Sequence, residues 1–96
     1  MSSKIRYTKT TLEKIERLLG EAGYHIRYEK GNFQPGSCVL ESRKIVIINR
    51  FYETEGRVMA FQDILQQLVI DLPSLTEASQ SLYHALRIEA EKEEMV

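Results

Sequence analysis

Between Tyr24 and Tyr52 the chain alternates apolar and polar positions in two short runs and ends in a third run that is almost wholly apolar. In the first, Tyr24, Ile26 and Tyr28 fall on one face of an extended strand, and His25, Arg27 and Glu29 on the other. The second runs from Cys38 to Ser42. The third, Lys44 to Asn49, is rich in Ile and Val and reads as the central, most buried strand. Lys30 to Ser37 forms a Gly- and Pro-bearing connection whose one large apolar residue is Phe33. Ser42-Arg43 lacks the Gly or Asn that favoured two-residue hairpins require, so a type I turn or a bulge is expected there.

The flanking segments change period. Leu12, Ile15, Leu18, Leu19 and Ala22 recur at helical spacing after Thr10-Thr11-Leu12-Glu13, a capping-box pattern with Thr10 as its cap. Gly23 follows as the left-handed residue that ends such a helix. A second helix is expected from Thr54, with Glu53 and Glu55 at its positive end and Val58, Phe61, Ile64, Leu65 and Leu68 on one face. Asp71-Leu72-Pro73 stops it. Ser74-Leu75-Thr76-Glu77 reads as a second capping box, opening a third helix with Leu75, Ala78, Leu82, Ala85 and Leu86 on one side. Residues 1–9 read as an arm or a short edge strand, and 89–96 as a fraying tail.

The expected architecture is a single α+β domain spanning 1–96. A three-stranded antiparallel sheet carries helices on one face, in the order α-β-β-β-α-α. The third helix is expected either to cover an edge of the core or to project toward a partner.

Composition narrows the class of protein. Apolar residues make up 43% of the 96 and charged residues 28%, the balance of a chain that folds around one core. A single cysteine excludes an internal disulfide. The N-terminal MSSKIRYTKT has no apolar h-region, and the longest apolar run is a strand's length, so a cytoplasmic location with no membrane association is expected. The net charge of −1 conceals an asymmetry: residues 1–50 carry ten Lys or Arg against five Glu, and residues 51–96 carry three against nine acidic residues. The basic residues are spread out, which suits complementarity within or between chains better than a basic nucleic-acid-binding arm.

Candidate chemistry is sparse. Cys38 is the one candidate thiol nucleophile, with His25 on another strand as the only nearby base that the layout offers; a small cysteine-dependent enzyme is the alternative function. His25 and His84 are the only histidines, too few and too scattered for a zinc site, and no cofactor is expected. Gly31-Asn32-Phe33-Gln34-Pro35-Gly36 lacks the G-K-[ST] ending of a phosphate loop. Arg27, Tyr28, Lys30, Phe33 and Arg43 sketch a nucleic-acid-binding patch, but Glu29, Glu41 and a pI near 6.1 weigh against it. The better surface candidate for a protein partner is the charged strand face of His25, Arg27 and Glu29. Glu41 and Arg43 are expected opposite it, with Tyr24 or Tyr28 at its margin, and Phe33 is read as a lid on the core or an aromatic anchor for a partner.

Two resemblances bear on this layout. The order helix, three strands, helix resembles the minimal core of zincin metallopeptidases, whose helix after the sheet carries H-E-x-x-H. The corresponding segment here, EGRVMAFQDILQQL, has neither the histidines nor the adjacent glutamate, so the resemblance implies a non-catalytic relative. The segment GYHIRYEKGNF…GSCVLE…KIVIINRFY is similar to a family of short, uncharacterised bacterial proteins, which implies no particular activity. The expectation is a small interaction module that binds a protein partner or itself.

Overall fold

The computed structural model describes the backbone of residues 5–30, 37–40 and 44–94. Its elements are helix α1 (Lys9–Glu21), strands β1 (His25–Glu29), β2 (Ser37–Leu40) and β3 (Ile45–Asn49), helix α2 (Thr54–Leu65), a short 3₁₀ turn (Leu72–Ser74) and helix α3 (Glu77–Glu94). The sheet is not the antiparallel one that the alternating runs suggest. Its strand order is β1-β3-β2; β1 and β3 run parallel, with His25 beside Ile45 and Glu29 beside Asn49, and only β2 is antiparallel to β3.

The correction has a physical cause. β2 and β3 are close enough in sequence to pair locally, but no tight turn joins β1 to β2. The connection 30–36 is long enough to step across two strand spacings, roughly 10 Å. β2 can therefore lie on the far side of β3 and return the chain to the middle of the sheet. That arrangement gives the central place, hydrogen-bonded on both sides, to the strand with the most apolar surface to bury.

One face of this sheet meets the helices. Val46 and Ile48 of β3 are fully buried, and Ile26 and Tyr28 of β1 pack beside them against Leu12, Ile15, Leu18 and Leu19 of α1 and Val58, Phe61, Ile64 and Leu65 of α2. Each buried aliphatic side chain in this set contributes on the order of 1.5–3 kcal/mol through removal from water. Ile5 and Tyr7, in the segment expected as an arm or a short edge strand, also pack on this core.

The helix ends differ from the sequence pattern by small, explicable amounts. α1 is capped by Thr8 rather than Thr10: the Thr8 Oγ1 accepts from the Thr11 N–H at 3.3 Å. At the other end Gly23 adopts φ +90°, its N–H donates to the Gly20 carbonyl, and the Tyr24 N–H donates to the Leu19 carbonyl. These are the paired bonds of a Schellman motif, and only a residue without Cβ takes that φ without strain. α3 is capped by Thr76, not Ser74; Ser74 instead closes the 3₁₀ turn, its hydroxyl donating to the Asp71 carbonyl at 2.6 Å. α3 runs to Glu94.

Arg57, in the first turns of α2, ties the helix to the sheet. Its Nε donates to the Tyr52 carbonyl and a terminal nitrogen donates to the Arg50 carbonyl, both at 3.0 Å. The same guanidinium lies 4.4 Å from the centre of the Tyr28 ring on β1. Arg57→Ala is therefore expected to destabilise the fold by about 1–2 kcal/mol, from two carbonyl hydrogen bonds and one cation–π contact on a partly exposed group. Urea unfolding checks this, and a change within a few tenths of a kcal/mol would show that the clamp is incidental.

α3 belongs to the core rather than projecting from it. Leu75, Ser79 and Leu86 are buried, and the helix packs on both α1 and α2. A chain cut after Pro73 is expected to lose cooperative thermal unfolding, because it uncovers the side of α1 that α3 seals. A sharp transition near the full-length midpoint in the cut chain would show that the sheet and two helices suffice.

Candidate functional site

The strand face proposed from the alternation exists in part. His25 and Arg27 are exposed on β1, with Glu29 half-buried after them. Arg27 Nε stands 2.6 Å from Glu29 Oε2, so these two charges largely answer one another. The angle is not that of a hydrogen bond, and Glu29 Oε2 makes none with correct geometry among the described residues. Phe33, Glu41 and Arg43 lie outside the described residues. β2, the strand that precedes Glu41, is not the neighbour of β1 in the sheet.

The register also bears on Cys38. Its backbone pairs with Ile47 of β3, whereas that of His25 pairs with Ile45 on the opposite side of the same strand. The two residues are thus separated by the full width of β3, roughly 10 Å, and by two residues of stagger. They are not the adjacent-strand neighbours that a thiol–imidazole pair needs. Between them, Ile45 and Ile47 give this second face of the sheet an apolar centre.

Two polar groups, one half-buried and one buried, escaped the sequence pattern. Tyr28 donates its hydroxyl to the Glu16 carboxylate of α1. Burial, and then that carboxylate, hold the phenol proton well above the usual tyrosine range, so the ring stays neutral. Gln62 of α2 is buried among leucines; it accepts a long 3.4 Å bond from the Tyr7 hydroxyl, while its Nε2 has no partner among the described residues. Among the described residues no group of three His, Cys, Asp or Glu is placed to hold a metal, and no helix is long and apolar enough to cross a membrane.

A concave feature among the described residues lies elsewhere, between α1 and the first turns of α3. A cleft of about 340 Å³ is lined by Lys14, Arg17, Ala78, Ser79, Ser81 and Leu82. A shallower hollow of about 240 Å³ continues along α1 past Thr10 and Glu13 and shares both cations. Lys14 and Arg17 come from consecutive turns of α1, on the side opposite its buried stripe, and both are exposed. Neither makes an ion pair within 4 Å among the described residues, although Glu21 is near enough to Arg17 to feel its charge. Periodicity marks these two residues only as the solvated side of an amphipathic helix; that α3 forms the second wall depends on packing alone.

Glu21 sets the width of this cleft. Its carboxylate accepts from the Thr76 N–H at 3.0 Å and from the Thr76 hydroxyl at 3.2 Å. The Thr76 Oγ1 in turn accepts from the Ser79 N–H at 3.3 Å. Position N3 of α3 is Ser79, which cannot reach back as the Glu of a capping box does, so a carboxylate from another helix takes that role.

No family profile, no curated protein and no solved structure matches this chain. What the cleft offers chemically is two cations, serine hydroxyls and an apolar floor. That set suits a carboxylate-bearing partner.

The cap also makes a pH prediction. The Thr76 N–H, then the Ser79 hydroxyl, hold Glu21 below its ordinary value of 4.5. A carboxylate depressed in the folded state adds stability that is complete above its unfolded value and is lost as pH falls through the folded one. The stability gap between wild type and Glu21→Gln is therefore expected to be constant at neutral pH and to narrow as pH falls below about 4.5. Urea midpoints measured across that range test it, and a gap independent of pH would refute the linkage.

Proposed function

We propose that this protein is a small non-catalytic interaction module that associates with itself. The observation that supports this most is the segregation of charge in space. Lys14 and Arg17 face a cleft without an ion-pair partner among the described residues, while the sequence from Glu89 to Glu94 carries four glutamates against one lysine. On the strand face, by contrast, Arg27 and Glu29 satisfy each other, which leaves less charge to offer a partner.

A non-catalytic reading also accords with the layout likeness to a zincin core. The helix after the sheet turns Phe61 and Gln62 into the core and contains no histidine. The separation of His25 from Cys38 removes the support that adjacency would have given to a cysteine-dependent enzyme.

Native mass spectrometry of the untagged protein, purified without chelator, tests the proposal. The expected result is a dimer or a higher oligomer with no added mass. A monomer carrying a reproducible metal or small molecule would overturn the reading and favour a ligand-binding or catalytic one.

A further inference from the structure

Resting on that self-association, we infer where the two copies meet: the outer edge of β1 pairs antiparallel with β1 of a second copy about a two-fold axis at Tyr28. The result is one continuous sheet in the order β2-β3-β1-β1-β3-β2. β1 is an edge strand, bonded to β3 on one side. The His25 N–H donates to the Lys44 carbonyl and the Arg50 N–H donates to the Glu29 carbonyl, so the odd-numbered residues of β1 turn their backbone groups toward β3. Those of Ile26, Tyr28 and Lys30 point the other way and find no backbone partner among the described residues. Such an edge is a template for another strand.

The sequence of β1 selects one register. Outward backbone groups must oppose outward ones, so the axis falls on a residue rather than between two. An axis at Arg27 would set that guanidinium against its own copy, and an axis at Glu29 would do the same to the carboxylate. An axis at His25 or Ile26 would bring Tyr24 into the ladder, but the Tyr24 N–H already donates to the Leu19 carbonyl in the cap of α1. An axis at Tyr28 avoids both faults. Tyr28 then opposes Tyr28, Ile26 opposes Lys30, and each pair exchanges N–H to carbonyl bonds.

In the same register Arg27 of each copy faces Glu29 of the other, in the closely spaced position between hydrogen-bonded pairs. Within one strand Arg27 Nε stands 2.6 Å from Glu29 Oε2 without hydrogen-bond geometry, and that oxygen has no other donor among the described residues. Pairing closes a ring of alternating charges in which the second copy's guanidinium supplies the donor. Because Arg27 and Glu29 balance, the join adds no unanswered charge. On the helix-covered side, Ile26 and Tyr28 are only partly buried where Val46 and Ile48 of β3 are fully so, and a neighbouring strand covers what is left.

Amide hydrogen exchange of the full wild-type chain, followed residue by residue by NMR, reads the edge directly. It is compared between concentrations at which sedimentation equilibrium shows dimer and monomer. The Ile26, Tyr28 and Lys30 amides are expected to exchange about tenfold or more faster in the monomer, while His25, Arg27 and Glu29, turned toward β3, stay protected in both. Charge exchange tests the register. Arg27→Glu alone and Glu29→Arg alone are each expected to weaken the dimer about tenfold or more, and mixing the two, or combining both changes in one chain, is expected to restore it. Far-ultraviolet circular dichroism confirms that the variants fold, and the exchange measurement needs wild type only. A wild-type monomer at about 100 µM, a weak affinity on the usual scale, would overturn both the inference and the self-association. A dimer whose Ile26, Tyr28 and Lys30 amides exchange as in the monomer would overturn the β1 pairing while leaving self-association in place. So would a dimer that neither reversal weakens, or that mixing fails to restore.

Discussion

The stripe of Leu12, Ile15, Leu18 and Leu19 on α1 is the constraint from which the rest of the molecule follows. All four are buried, and α1 touches β1, α2 and α3. A helix with so wide an apolar face cannot be sealed by one neighbour. The sheet covers one flank through β1, α2 lies alongside, and α3 closes the remaining flank, all within one buried cluster. The polar side of α1, with Lys14 and Arg17, is left to the surface, and the seam where α3 meets it becomes the cleft.

Polar contacts then fix what apolar burial leaves loose. Burial is non-directional and does not set the angle between α1 and α3. The Glu21–Thr76 bonds do so by making the capping of one helix depend on a side chain of the other. Arg57 acts similarly at the opposite end of the chain's path, joining the Arg50–Tyr52 turn to the Tyr28 ring. Tyr28 in turn is bonded to Glu16 of α1, so one line of contacts runs from α1 through β1 to α2. The cleft is therefore backed by elements whose relative positions are set by directed bonds.

On the strand face, part of the charge is already answered within the fold. Arg27 and Glu29 are two residues apart on one face of a strand, close enough to neutralise each other. Lys14 and Arg17 carry like charge and have Glu13 and Glu21 as acidic neighbours on their own helix, with Glu21 already committed to Thr76. The difference lies in which charges remain unanswered once the chain is folded.

Periodicity was sufficient for much of this. The identity and order of the elements, the buried stripe of α1, the left-handed Gly23, the inward face of Ile26 and Tyr28 and the central place of the Ile- and Val-rich strand all follow from local pattern, because each depends on residues a few positions apart. What only the tertiary structure decided involves residues far apart in sequence. The parallel pairing of β1 with β3 depends on a connection whose length permits either side of the sheet. The capping of α3 by Glu21 joins positions 55 residues apart. The burial of Gln62, and the cleft between Lys14 and Ser81, arise where helices meet at angles that no repeat in the sequence encodes. Local chemistry selects elements; the competition to bury one apolar stripe under three neighbours selects how they are arranged, and with it which charges are left facing outward.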